Sequence, residues 1–232
     1  MQRLRIEFTK EKLAKFLSHL ELLKVFERAM RRGAIPLSFT RGFHPHPRIS
    51  FGPALAVGIT SSREYMDVEL KRRIPVSQFK EKLQQQLPQG IVVRKVEEIP
   101  LKATALMAVI NCAVYQVRGE VDKLLTEKEF EEAIKSLLAR NYIPVERETK
   151  KGVKRKNIRE GIYCLTGSLV NRCFNVHMKV ATGSGDNVRP EEVVHALAQE
   201  LEGKAQLSVL SIHREALYVK EGDNYLSPME VV

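Results

Sequence analysis

Two short signatures, Ser18-x-x-Glu21 and Thr126-x-x-Glu129, constrain this chain more tightly than any other feature. A hydroxyl residue followed three positions later by glutamate satisfies N–H groups that the first turn of a helix leaves open, so each signature marks a helix start. Glu21 is thereby assigned to a helix N-terminus and not to chemistry. Beyond Ser18, Leu22, Leu23, Phe26, Ala29 and Met30 recur at helical spacing, while Lys24, Glu27, Arg28, Arg31 and Arg32 lie off that face. Gly33 is the expected stop, and arginines in the last turn suit the helix dipole. Beyond Thr126, TEKEFEEAIKSLLARN (126–141) repeats the pattern.

Each predicted helix follows an alternating segment. QRLRIEFT (2–9) sets Leu4, Ile6 and Phe8 against Arg3, Arg5 and Glu7, the period of a half-buried strand, and LMAVINCAVYQV (106–117) reads as a long strand. In the first half IPLSFT (35–40), RISFG (48–52) and YMDVEL (65–70) are strand candidates. VSQFKEKLQQQL (76–87) is a second helix and IVVRKVEEI (91–99) a closing strand. The second half supplies IPVERE (143–148), GIYCLTG (161–167) and RCFNVHMKV (172–180), a helix RPEEVVHALAQEL (189–201) with proline near its first position, and LSVLSIHREALYV (207–219). The expected fold class is α+β: two tandem ferredoxin-like (split βαβ) domains, each an antiparallel sheet with helices on one face. The expected domains are residues 1–100 and 101–232, with PLKATAL (100–106) as the boundary. The duplication rests on element order, since no residue-by-residue repeat is present.

Charge is distributed unevenly between these halves. Residues 1–100 hold 19 Lys+Arg and 10 Asp+Glu, a net +9, whereas residues 101–232 hold 19 and 18, a net +1. No acidic residue occurs between Arg28 and Arg63, a span that contains Arg31, Arg32, Arg41 and Arg48. A one-signed stretch of this kind points to a polyanionic partner. No apolar run is long enough to cross a bilayer, and MQRLRIEFTK lacks the apolar region of a secretory signal. With three widely spaced cysteines, Cys112, Cys164 and Cys173, the expectation is a cytoplasmic chain with reduced thiols and no cofactor.

The stretch TRGFHPHPRISFG (40–52) alternates His44 and His46 with Pro45 and Pro47, between Arg41 and Arg48. A proline turns the residue before it away from the helical basin, so both histidines are expected in extended backbone on a stiff strip. Four readings follow. The imidazoles can stack on or hydrogen-bond to RNA together with Phe43. They can act as general acid–base groups of a metal-independent nuclease with arginines stabilising the phosphorane-like charge, His46 being the catalytic candidate. They can chelate a metal, for which the neighbourhood offers no third ligand. They can also fill a structural turn.

Two further stretches bear on binding. Arg147–Arg159 holds seven basic residues and one acidic residue, and is expected to be an exposed hairpin whose Lys150, Lys151, Lys154, Arg155, Lys156 and Arg159 lie along a phosphate backbone or are simply solvated. ATGSGDNVRPEEVV (181–194) runs into a helix N-terminus, where backbone N–H groups can hold a phosphate or Asp186 or Asn187 can cap the helix.

The combination of SHLELL, RAMRR, GFHPHP and SFGPAL resembles the uncharacterised radical-SAM-linked protein family, which is encoded beside, or fused to, a cobalamin-type radical SAM protein. The likeness is strongest from Leu4 to Leu70 and looser in the second half. That family's pattern has Asp where Glu21 stands and Asn where His44 stands, which favours His46 over His44 as a functional imidazole. The resemblance implies an accessory role beside a radical SAM enzyme, because the CxxxCxxC cluster motif is absent here. The expected function is an RNA-binding accessory protein, rather than an enzyme, that presents structured RNA (tRNA or rRNA) to a radical SAM partner. Arg28, Arg31, Arg32, Arg41, Phe43, His44, His46 and Arg48 form its grip, and the basic hairpin extends it. The alternatives are a nuclease, and an adaptor for the radical SAM partner that does not bind RNA.

Overall fold

The computed structural model describes residues 1–149 and 152–231. The chain is a mixed α+β protein built on a large, mostly antiparallel sheet, with five α-helices among the described residues. Its residues divide into two compact units, 1–111 with 214–232, and 112–213. The segment 214–232 thus groups with the first unit, not with 101–213 as a single cut near residue 100 would have it.

The first unit runs β1 (Gln2–Lys10), α1 (His19–Arg32), β2 (Ile49–Phe51), β3 (Thr60–Leu70), α2 (Val76–Gln84), β4 (Val93–Ile99) and the short α3 (Leu106–Val109). β1 is central, antiparallel to β3 with Gln2 opposite Leu70 and to β4 with Arg3 opposite Ile99. β2 pairs with the other edge of β3, Ile49 opposite Val68. Both sides of the predicted capping box are present at α1: the Ser18 hydroxyl accepts from the Glu21 N–H, and the Glu21 carboxylate accepts from the Ser18 N–H at 2.8 Å. The Ser18 hydroxyl also donates to that carboxylate at 2.7 Å, and this bond, with that of the Ser18 N–H, holds the Glu21 carboxyl below the usual carboxylate range.

Leu4, Ile6 and Phe8 of β1 pack on Leu22, Phe26 and Met30 of α1 and Phe79 and Leu83 of α2, with the Phe8 and Phe26 rings edge-on at 4.8 Å. The half-buried expectation for β1 fails on its second face. Arg5 is wholly buried there, its guanidinium bonded to both Asp67 oxygens at 2.8 and 3.1 Å and to the carbonyls of Pro228 and Val231 at 2.6 Å each. Arg3 joins the same carboxylate at 2.8 Å. The buried Arg214 guanidinium meets the Glu64 carboxylate and donates to the Pro53 carbonyl at 2.9 Å. These charges, inaccessible to water, require their partners, and that requirement ties residues 214–231 to the first unit.

The second unit contains β5 (Cys112–Val121), α4 (Glu127–Ala139), the hairpin β6 (Pro144–Thr149) and β7 (Gly152–Asn157), then β8 (Ile162–Val170), β9 (Cys173–Ala181) and α5 (Pro190–Glu200). β10 (Leu207–Glu221) contributes its first seven residues to this unit. β9 lies between β5 and β8, antiparallel to both, and β10 lies beside β5. β11 (Asn224–Leu226) pairs with the end of β10. Phe130 of α4 stacks on Phe174 of β9, ring centroids 6.0 Å apart. Residues 106–109, expected in a strand, instead make the single turn α3, and the strand begins at Cys112.

Arg5→Ala leaves the Asp67 carboxylate with Arg3 alone and removes the donor to the buried carbonyls of Pro228 and Val231, so it is expected to destabilise the chain by about 3–5 kcal/mol. Urea unfolding of the two proteins measures this. A loss below about 1 kcal/mol would remove the pair from its structural role.

Candidate nucleic-acid interface

The proline strip folds back on itself. The Arg48 N–H donates to the Ser38 carbonyl at 2.9 Å, the Thr40 N–H donates to the His46 carbonyl at 2.9 Å, and the His46 N–H donates to the Thr40 hydroxyl at 3.0 Å. Both arms are fastened to the edge of β3: the Ser38 N–H donates to the Glu69 carbonyl and the Glu69 N–H to the Arg48 carbonyl. The prolines cause no loss here, because their missing N–H groups fall outside this ladder. Between Thr40 and His46 five residues, Arg41 to Pro45, form the tip. Gly42 takes a φ of +123°, a conformation that side-chain-bearing residues rarely adopt.

At this tip Phe43 is fully exposed, with a relative accessibility of 101%. Arg41, His44 and His46 are exposed beside it. The imidazoles are therefore not buried in a packed turn; His46 is fixed through its backbone.

Behind the tip, Phe39 organises the cations. The Arg31 guanidinium lies 5.6 Å from its ring centroid and the Lys71 ammonium 5.4 Å. The Arg48 Nε donates to the Phe39 carbonyl at 3.4 Å, and its Nη1 stands 3.6 Å from the Glu69 carboxylate. Three cations distant in sequence thus meet around one aromatic residue. Arg31 also pairs with Glu27 one turn earlier at 2.7 Å. An exposed pair of that kind contributes at most about 1 kcal/mol, so a phosphate can displace the carboxylate. Arg28 is exposed on α1, and Arg32 is occupied by Gln86, donating to its side-chain oxygen at 3.2 Å and its carbonyl at 2.6 Å. Next to Arg48 a polar cleft of about 180 Å³ is lined by Arg3, Ser50, Asp67 and Glu69. Lys71 and Phe39 were not legible as site residues, because nothing in their local spacing signals a shared contact.

The basic hairpin is differently arranged. Arg147 is clamped by both Glu192 oxygens at 2.6 Å and by the Asn187 carbonyl, and Lys156 meets the Asp186 carboxylate. Arg155 pairs with Glu146 at 2.8 Å, and Arg159 donates to the Leu138 carbonyl at 2.9 Å. Lys154 is exposed, while Lys150 and Lys151 lie outside the described residues. Arg147, Lys156 and Arg159 therefore serve first to hold the hairpin within the second unit, whereas Arg155 makes an exposed cross-strand pair inside the hairpin. The glycine loop supplies the partners of Arg147 and Lys156: Asp186 binds Lys156 and does not cap α5, and the N–H of Arg189, the residue before α5, is taken by Glu192 at 3.0 Å. Among the described residues no group of three or more His, Cys, Asp and Glu side chains is placed to hold a metal ion. No described helix is long and apolar enough to cross a membrane.

A comparison with curated protein sequences finds no match. Among solved structures, the fold is similar to a chain in the crystal structure of a Cbf5–Nop10–Gar1 complex, with a TM-score of 0.52 at 11% identity over 95% of this chain. It is also similar to a chain in the structure of an H/ACA RNP bound to a substrate RNA containing 2'-deoxyuridine, with a TM-score of 0.50 at 10% identity over 91% of this chain. The chain spans about half the length of these structures' matching chains, 50% and 46%. At that identity the likeness is one of fold. The sequence itself is more decisive: residues 3–190 match the pattern of one family, and the chain belongs to that family, described as uncharacterized protein conserved in bacteria (DUF2344).

Proposed function

We propose that this chain is a cytoplasmic RNA-binding accessory protein that presents structured RNA to a radical SAM modification enzyme. The observation that carries the reading is the exposed Phe43 at the end of a braced strip, with Arg31, Arg48 and Lys71 gathered behind it. In this reading the cations hold phosphates, Phe43 stacks on an unpaired base, and His44 and His46 contact bases or sugars. Arg28 and Arg41 extend the positive surface along α1 and the tip. Lys154, with Lys150 and Lys151, adds a second and weaker contact on the hairpin. The radical SAM partner supplies the chemistry, as the resemblance carried by GFHPHP and SFGPAL implies.

The architecture is consistent with this role. The strand orders β4–β1–β3–β2 and β10–β5–β9–β8 support reading each unit as a ferredoxin-like split βαβ, with β6–β7 inserted between α4 and β8. A chain of similar fold occurs in an RNP bound to substrate RNA, which supports RNA as the polyanion.

Fluorescence anisotropy with labelled tRNA and rRNA stem–loops tests the reading. Phe43→Ala is expected to weaken binding about 5- to 150-fold, the effect of about 1–3 kcal/mol for one stacked base, with the melting temperature unchanged. Equal affinity in the variant would remove the stacking contact. Arg31→Glu/Arg48→Glu is expected to flatten the dependence of log affinity on log salt by about 1.4–1.8, the counterion release of two phosphate contacts. An unaltered slope would show that these two cations do not meet the RNA backbone.

A further inference from the structure

The first unit carries another surface that the RNA reading does not use. Residues Lys12–Phe16 form a 3₁₀ helix between β1 and α1, and Leu13, Phe16 and Leu20 are 79%, 58% and 69% exposed. Leu13, Ala14, Leu17, Val25, Pro88 and the stem of Lys12 line a groove of about 480 Å³. One wall is fixed by a close backbone approach. Gly90, at φ +92°, passes so near Glu11 that a Cβ would stand 2.2 Å from the Glu11 carbonyl oxygen, and the Glu11 N–H donates to the Gly90 carbonyl at 2.8 Å. The groove is a formed feature, Leu13 in its lining is left in water together with Phe16 and Leu20 of the same 13–20 stretch, and burial of each would be worth about 1.5–3 kcal/mol.

Its rim is cationic. Lys12 lines it, Lys15 sits 5.1 Å from the Phe16 ring centroid, and Lys24 is exposed on α1 beside Val25. Of the nearby carboxylates, Glu21 is engaged in the Ser18 cap and Glu11 is half-buried. We propose that this groove docks a partner protein through a short amphipathic helix with Leu or Phe anchors on one side and acidic residues on its flanks. Charge complementarity selects that occupant. A second copy of this chain would bring the same cations against each other. A bilayer would need a convex apolar face, whereas this surface is concave and sized for inserted side chains. The proposal does not depend on RNA binding.

The test titrates the full chain, isotopically labelled for NMR, with two synthetic helical peptides that share one Leu/Phe face, one flanked by Glu and the other by Lys. The Glu-flanked peptide is expected to shift the amide signals of Leu13, Ala14, Leu17 and Val25 in a saturable manner. The Lys-flanked peptide is expected to bind about tenfold more weakly or worse, a difference of about 1.4 kcal/mol. Leu13→Gln/Leu20→Gln preserves charge and replaces only exposed side chains, so it is expected to abolish the shifts while leaving both the melting temperature and RNA affinity as they were. No shift at these residues up to about 1 mM peptide (about 4 kcal/mol of binding) overturns the proposal, and equal binding of both peptides overturns its acidic partner. Vesicle sedimentation with phosphatidylserine liposomes that is lost in the double variant would replace the partner protein with a membrane. Dimerisation in analytical ultracentrifugation lost in the same variant would replace it with a second copy.

Discussion

The backbone of Glu69 is the fastening on which the candidate interface depends. Its carbonyl accepts from Ser38 and its N–H donates to Arg48, so one residue on the edge of β3 holds both arms of the proline strip. An excursion that carries Phe43 and two histidines into solvent would otherwise lose most of its order to chain entropy. Proline at 45 and 47 lowers that entropy in the unfolded chain as well. The Thr40–His46 bonds close the loop to a five-residue tip, and Gly42 supplies the one backbone conformation the tip needs.

Behind this edge the sheet is stiffened by buried charge. The Arg5 guanidinium is satisfied by Asp67 together with carbonyls of residues 228 and 231, and Arg214 by Glu64 and Pro53. Lys10 is buried nearby, its ammonium donating to the Leu17 carbonyl at 2.8 Å, and burial pulls its pKa below the ordinary lysine value. Such groups contribute little net stability relative to apolar replacements, but they penalise every arrangement in which a partner is missing. Asp67 and Glu64 stand on the same strand as Glu69. The residues that fix β3 in place thus also fix the strip, and Lys10 fixes the end of the segment that forms the apolar groove.

Local chemistry was legible and long-range chemistry was not. The capping boxes at Ser18 and Thr126, the stop at Gly33 and the proline at the start of α5 were readable because each is settled within a few residues. Leu106–Val109 misled because a short apolar run carries no period that distinguishes a turn of helix from a strand. Arg5 looked like the solvent side of a half-buried strand, since its partners lie 62 to 226 positions away. At the site, the run of arginines without acidic neighbours drew attention to the half of the chain in which Arg31, Arg48 and Lys71 lie around Phe39. It did not reveal that Phe39 would gather Arg31, Lys71 and Arg48. The hairpin shows the converse: counting seven cations could not anticipate that Glu192, Asp186 and Glu146 would engage three of them.

The juxtaposition of an exposed aromatic with exposed cations separates affinity from selectivity. Guanidinium and ammonium groups attract any polyanion, and salt weakens that attraction without regard to sequence or structure. A phenyl ring offers a duplex nothing, since paired bases are already stacked, but it can stack on a base that is flipped out or held in a loop. Cations alone on this surface would grip helices and loops alike. In the proposed reading Phe43, carried forward of them on a strip braced by the Thr40–His46 bonds, tilts the same surface toward RNA with unpaired nucleotides. That preference is what a protein needs if it is to deliver one base of a structured RNA to another enzyme.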